Sequence, residues 1–372
     1  MLEKKGKDDS ISVAKGLAIL LMVLAHAGFP EYGNHLIYMF HMPLFFFISG
    51  YLFKDSYLYD LKTFTFQRIK KIYIPFVKYG ILFLFLHNFF YNINIYNNHY
   101  GFLGSVSYIY EVKDYCSKLF KIILTMNDAE QLLGGYWFLH TMFFASFIFF
   151  YVVKFASFIF ARLKQNNERS YVINLYVGGG ILLCLSVSVF FLKKGVPYLG
   201  VGAWEFFASF FMMVGYLYRK SLNAIVNTYT KWILLICLLL LLLGNEFWQS
   251  GMTDPQWYNV IPYSLSALSG SILTVILSRF FVNHYRHSVA YSFFVYMGNH
   301  TLVILTWHFL CFKIVNLLII KLNFLQIEHL AEFPVIQPYA SAGWWVAYVL
   351  VGVLIPLVCT YGSTKIKCQI NE

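Results

Sequence analysis

The stretch Ser12-Val-Ala-Lys-Gly-Leu-Ala-Ile-Leu-Leu-Met-Val-Leu-Ala-His26 decides how the chain is read. Beyond its first serine it is apolar except for Lys15 and His26. Eleven helical steps of about 100° return these two to within about 20° of one face, about 16 Å apart along the axis. A cation near a membrane surface and an imidazole deeper in, on one stripe, are costly in lipid unless they face protein, water or a ligand. Two readings are open for the pair. Lys15 could snorkel to headgroups while His26 makes a structural bond to a neighbouring helix, or both could line a polar path through the bundle.

Composition settles the class. Of 372 residues, 59% are hydrophobic and only 12% charged, against about 25% charged in soluble globular chains. Apolar runs recur from end to end, so the expected fold is all-α, a polytopic integral membrane helical bundle. About ten spans are expected, near 11–28, 36–53, 75–91, 136–153, 171–191, 203–218, 232–247, 258–282, 287–318 and 343–362. The ninth is long enough to tilt or break near Gly298. The net charge of +11 sits between spans and forms no basic domain, which argues for orientation in a bilayer and against nucleic acid. Nineteen Lys and Arg lie on the side of the termini and seven, with Lys313 and Lys321 among them, on the other. Both termini are therefore expected in the cytoplasm, and the polar segment 92–134 outside, as a loop carrying a short surface helix near 108–125. No internal repeat is seen, and residues 1–372 read as a single domain.

The basic start at Lys4, Lys5 and Lys7 and the run Ala25-His26-Ala27 imitate a cleavable signal peptide. Lys15 interrupts that apolar stretch and a second span follows at once, so it is read as the first transmembrane helix. Six cysteines show neither paired nor metal-ligand spacing, so no metal or disulfide framework is expected.

Other polar residues fall near the outer-leaflet level of His26: His41 in span two, His140 in span four and Glu205 in span six, with His308 in the long ninth span. Imidazoles and a carboxylate at similar depth suggest a polar cavity, where a histidine can act as general base toward a hydroxyl. His140 also reads well as a packing residue. Lys15, at the inner mouth, suits an anionic donor.

Several ordered segments carry a family resemblance. They are Ala14-Lys-Gly-Leu-Ala-Ile19 with His26 eleven residues after the lysine, Phe40-His-Met-Pro-Leu-Phe-Phe-Phe-Ile-Ser-Gly-Tyr-Leu52, Arg68-Ile-Lys-Lys-Ile-Tyr-Ile-Pro75, and Trp137-Phe-Leu139. Phe210-Phe-Met-Met-Val-Gly-Tyr216 and Gly298-Asn-His-Thr-Leu-Val-Ile-Leu-Thr-Trp-His308 follow. In that order they resemble the membrane acyltransferase-3 family, closest in style to sugar O-acetylase-like members, over nearly the whole chain. Many members carry Arg where Lys15 stands, and the lysine-bearing subgroup often has Asp where this chain has Ser12.

The resemblance implies an O-acetyltransferase of a bacterial cytoplasmic membrane and its cell envelope. Acetyl-CoA would be the donor, and a hydroxyl of an extracytoplasmic glycan the acceptor. His26 would be the general base or a transient acyl carrier. Lys15, with Arg68 and Lys71, would hold CoA phosphate, although an ordinary cytoplasmic basic loop explains the latter two equally well. His41 and His308 sit in matched segments and would shape the cavity; Glu205 joins them by depth alone. The competing readings are a transporter or flippase for a lipid-linked or small anionic substrate, and a structural membrane subunit.

Overall fold

The computed structural model describes residues 8–100, 104–127, 130–162, 169–194, 202–248, 250–252, 254 and 256–370. Side chains at 104–105, 159–162, 169–176 and 363–370 fall outside this description, as do Lys4, Lys5, Lys7, Lys164 and Pro255. Among the described residues the ordered elements are all helical. In chain order they are α1 (Asp9–His26), α2 (Glu31–Tyr51), α3 (Leu61–Arg68), α4 (Ile74–Asn92) and α5 (Val112–Thr125). Then come α6 (Trp137–Arg162), α7 (Arg169–Lys194), α8 (Ala203–Leu217), α9 (Asn223–Thr228) and α10 (Thr230–Phe247). The last are α11 (Val260–Tyr285), α12 (Val289–Asn299), α13 (Thr301–Asn323), α14 (Gln337–Tyr339) and α15 (Trp345–Ile370).

Among the described residues, seven stretches are long and apolar enough to cross a membrane: Asp9–His26, Gln131–Phe158, Val177–Lys194, Thr230–Phe247, Val260–Tyr285, Thr301–Asn323 and Gln337–Gly362. The expected spans two, three and six coincide with α2, α4 and α8. The long ninth span is two helices, α12 and α13, broken at His300 (φ −119°, ψ 23°). The chain divides into two compact units.

The first unit comprises 1–34, 75–137 and 280–372. α1 starts at Asp8, whose carboxylate accepts from the Ser10 backbone N–H at 3.1 Å, one of the orphan donors of a helix start. Its tightest partner is α12. A Cβ on Gly298 would lie 1.8 Å from the Ser12 carbonyl oxygen, and one on Gly16 2.4 Å from that of Phe294. Only hydrogen fits there, so the two backbones touch, as small residues allow between membrane helices.

The expected surface helix is α5, which packs antiparallel along α4. Tyr110 pairs with Asn88 through two hydrogen bonds (3.0 and 2.8 Å), and Tyr115 stacks on Phe85. Ile122 meets Gly80. Lys118 and Ile122 are the buried face, with the Lys118 ammonium 5.1 Å from the Tyr110 ring centre. A lysine stem and an aromatic face make such burial workable.

After α13 the chain folds back against the helix it has just left. Lys313 Nζ donates to the Glu332 carbonyl at 2.7 Å, and Asn316 Nδ2 reaches the Leu330 and Glu332 carbonyls at 3.4 Å. The Tyr348 hydroxyl donates to Asn316 Oδ1 (2.6 Å) and accepts from the Ile336 N–H (3.2 Å). Irregular backbone beside a span must have its polar groups met by protein, and these side chains meet them. Lys313, counted above with the outer loops, is therefore a buried residue of α13.

The second unit comprises 35–74 and 138–279. Here α2 and α8 make the backbone contact: a Cβ on Gly50 would sit 1.8 Å from the Met212 carbonyl oxygen, and one on Gly215 2.0 Å from that of Phe47. Ser209 of α8 donates to the Ala145 carbonyl of α6 at 2.9 Å. α11 is rich in small residues, and Ser264, Ser271 and Thr274 return their hydroxyls to carbonyls four residues back. That habit lets hydroxyls sit in an apolar bundle without an orphaned donor.

Candidate active site

The first unit brings two of the expected histidines together. His26 ends α1 and His308 lies two turns into α13. His26 Nδ1 is 3.2 Å from His308 Nε2, and the rings stack with 14° between their planes. Phe309 packs against both imidazoles. His308 is fully buried, whereas His26 is partly exposed.

Donor and acceptor roles follow from the partners. His308 Nδ1 faces two carbonyl oxygens, those of Ile304 (3.1 Å) and Leu305 (3.0 Å). Carbonyls only accept, so Nδ1 of His308 carries the hydrogen. With both rings neutral, His308 Nε2 is then the acceptor and His26 Nδ1 the donor. This places the lone pair of His26 on Nε2. A proton taken up there can be shared across the 3.2 Å bond toward His308, whose far nitrogen already rests on carbonyl oxygens. The carbonyl end of α1 also favours the cation that His26 becomes. The pair can therefore accept and return a proton.

The turn of α13 that holds His308 is braced from outside the helix. Tyr136 Oη and Thr306 Oγ1 are 2.8 Å apart, and Gly135 allows Leu305 to approach within contact distance. Lys15 lies eleven residues before His26 on α1, partly exposed and flanked by buried Ala14 and Gly16. At the start of α1, Asp9 accepts from the Tyr291 hydroxyl at 2.6 Å.

The remaining expected residues belong to the second unit. His41 is buried and donates from Nδ1 to the Ile37 carbonyl of its own helix at 2.8 Å. Glu205 is buried and caps α8, accepting from the Gly202 N–H (2.7 Å) and the Thr141 hydroxyl (3.0 Å). His140 Nδ1 lies 3.4 Å from the same carboxylate, and its buried Nε2 has no hydrogen-bond partner among the described residues. Glu205 and His140 thus form an imidazole–carboxylate pair that depth matching listed but did not pair.

Arg68 and Lys71 line one cavity of about 190 Å³ with Ser49, Tyr57, Phe64 and Gln67. The Arg68 guanidinium stands 5.1 Å from the Phe64 ring centre. Burial draws its pKa down to about 10, which leaves it cationic at neutral pH. Asp55 nearby is held by the Tyr216 hydroxyl, Arg219 and Lys220. Among the described residues no cluster of His, Cys, Asp and Glu is arranged to hold a metal ion.

Sequence reasoning identified His26 and His308 separately and missed their contact, which spans 282 positions. It also missed Phe309 and the Tyr136–Thr306 brace. The break after Gly298 was the available signal, because it fixes where α13 starts and so how deep His308 lies.

Comparison with curated proteins and with solved structures finds no match. The family model described as an acyltransferase domain, of the acyltransferase-3 type, matches residues 8–361. By that match over almost its whole length, the chain belongs to the acyltransferase-3 family.

Proposed function

We propose that this membrane acyltransferase transfers an acetyl group from cytoplasmic acetyl-CoA to a hydroxyl of an extracytoplasmic glycan, with His26 as general base. The observation that carries the reading is the His26–His308 pair, whose tautomers put the lone pair on His26 Nε2.

The acceptor hydroxyl gives its proton to His26 Nε2 as its oxygen attacks the thioester carbonyl carbon. The new C–O bond forms, the C–S bond breaks, and the departing CoA sulfur takes the proton back from Nε2. His308 acts as a positioning residue: it holds the His26 tautomer and shares the positive charge. General acid–base catalysis of this kind contributes about 10²- to 10⁴-fold.

Lys15, and separately Arg68 with Lys71, supply cations suited to CoA phosphates. A lysine does so as a point charge and an arginine as a fork. His41, Glu205 and His140 are proposed to shape the polar interior for the acceptor. The protein would act in the cytoplasmic membrane of a bacterium.

Mass spectrometry of surface glycans from cells with and without the protein tests this reading. Acetylated glycan is expected to be present only with the protein. Identical acetylation in both would overturn it.

A further inference from the structure

The chemistry above leaves unused a buried imidazole–carboxylate pair in the unit that carries the two histidines. His87 of α4 and Glu130 are 0% and 2% exposed, and His87 Nδ1 lies 2.9 Å from Glu130 Oε2. His87 Nε2 lies 3.0 Å from the Tyr108 carbonyl oxygen. A carbonyl only accepts, so Nε2 carries a hydrogen. A bare Nδ1 facing a bare carboxylate would set lone pair against lone pair, so a second proton lies between them. Whether it rests on nitrogen or on oxygen, the pair is neutral overall and joined by that proton. Such pairing is what makes groups of this kind stable away from water. The Tyr110 ring lies flat on the imidazole, with 5° between the planes.

Glu130 directly precedes the 3₁₀ turn 131–136. At one end of that turn the Leu132 N–H donates to the Tyr96 hydroxyl at 3.5 Å, and at the other Tyr136 packs on Phe76 with ring centres 5.5 Å apart. His87 and Phe76 are eleven residues and about 16 Å apart on α4, so one helix holds both ends of the turn. Its other side lies against the part of α13 that carries His308. Tyr136 meets Thr306 at 2.8 Å. A Cβ on Gly135 would lie 2.8 Å from the Leu305 side chain, and one on Gly134 3.5 Å from the Phe309 ring. Phe309 in turn packs on both imidazoles of the site. Contacts this close leave no slack, so a displacement of the turn is passed on to His308. The turn's own polar groups do not keep it there. Both amide atoms of buried Gln131, and Glu130 Oε1, have no hydrogen-bond partner among the described residues. Turning toward water would relieve that cost, and the bond to His87 opposes the release.

We propose that His87 and Glu130 are positioning residues for acyl transfer. The proton they share latches the 131–136 turn onto α4, and the turn sets α13 so that His308 Nε2 meets His26 Nδ1. The effect on rate rests on the acyl-transfer reading; the effect on the His26 tautomer does not.

The full chain in nanodiscs, labelled with nitrogen-15 histidine, reports the His26 tautomer by solid-state NMR, with His26→Gln assigning the signals. The same preparations give initial rates with radiolabelled acetyl-CoA. In the wild type His26 is expected as one tautomer, with its hydrogen on Nδ1. Glu130→Leu, which removes the latch, is expected to mix the tautomers and to lower kcat about tenfold, with the donor KM within about twofold. Glu130→Gln, whose amide donates to Nδ1 of a neutral His87, is expected to behave as wild type. Added to His308→Phe, Glu130→Leu should slow transfer no further, because both act through one bond. Should Glu130→Leu fail to accumulate, the double variant His87→Phe with Glu130→Leu, which orphans neither partner, takes its place. The proposal is overturned by a His26 tautomer indifferent to Glu130→Leu, by losses that multiply in the combined variant, or by Glu130→Gln as slow as Glu130→Leu. The tautomer is read without acetyl-CoA. A wild type that shows these tautomer shifts yet transfers no acetyl group therefore refutes the acyl-transfer reading and leaves the positioning of His26 standing.

Discussion

Replacing His308 by phenylalanine separates its role as a partner of His26 from its role in packing. The new ring keeps the contacts with Phe309 and Phe312, and a near-isosteric buried swap costs less than about 1.5 kcal/mol of stability. What disappears is the 3.2 Å bond to His26 Nδ1. Between neutral rings that bond is worth about 1 kcal/mol. Once His26 carries the acceptor's proton the bond becomes charge-assisted and about twice as strong. The differential stabilisation of the transition state is therefore about 1 kcal/mol. Loss of tautomer control removes a further factor of a few. Together these make about 1.5–2.5 kcal/mol, a fall in kcat of roughly 10- to 70-fold. The donor KM should move by less than about twofold, because an interaction made only in the transition state is lost. Initial rates of label transfer from radiolabelled acetyl-CoA to the glycan fraction of membranes measure both constants. A kcat within twofold of wild type would refute the tautomer argument. So would a loss expressed wholly in KM.

Four other expectations are more direct. Gly298→Ala forces its methyl into the Ser12 carbonyl, so α1 and α12 must separate; a stability loss of about 1–3 kcal/mol should appear as a lower thermal midpoint, together with lost activity. Tyr348→Phe removes the bonds to Asn316 and Ile336, and at about 1–3 kcal/mol per orphaned buried group the 327–336 segment should be cleaved faster in limited proteolysis. Lys15→Ala and Arg68→Gln should each raise the donor KM more than they lower kcat, read by CoA titration and initial rates. Arg68 has its pKa lowered only to about 10, so it stays protonated and its effect on donor affinity should be flat between pH 6 and 9.

Local patterns made the helices legible and left their contacts hidden. Apolar runs bounded by charges, turns and glycines place α1, α4, α7, α8, α10 and α11 within about three residues of expectation, whereas α2 starts five residues earlier and α6 and α15 run nine and eight residues further, and the Asn- and Tyr-rich 92–134 segment contains the expected helix, α5. Gly298 marked the weak point of the ninth span, but its reason is contact with the Ser12 backbone, in a helix at the other end of the chain. The same limit applies to the site. His26 stood out because it sits on the Lys15 stripe, whereas His308 could not be assigned a depth until the break at His300 was known. Lys313 resembled a loop charge because nothing near it in sequence shows that Glu332 folds back to meet it. Glu205 and His140 were matched by depth; their contact, like that of the two histidines, depends on helix rotation, which hydropathy does not encode.

Single-turnover transfer of a labelled acetyl group by purified protein and by its His26→Gln variant, matched for thermal midpoint, tests the central claim most directly. The wild type should pass label from acetyl-CoA to the glycan, and the variant should be slower by at least about 10²-fold. Equal rates from the two would contradict the assignment of His26 as the base.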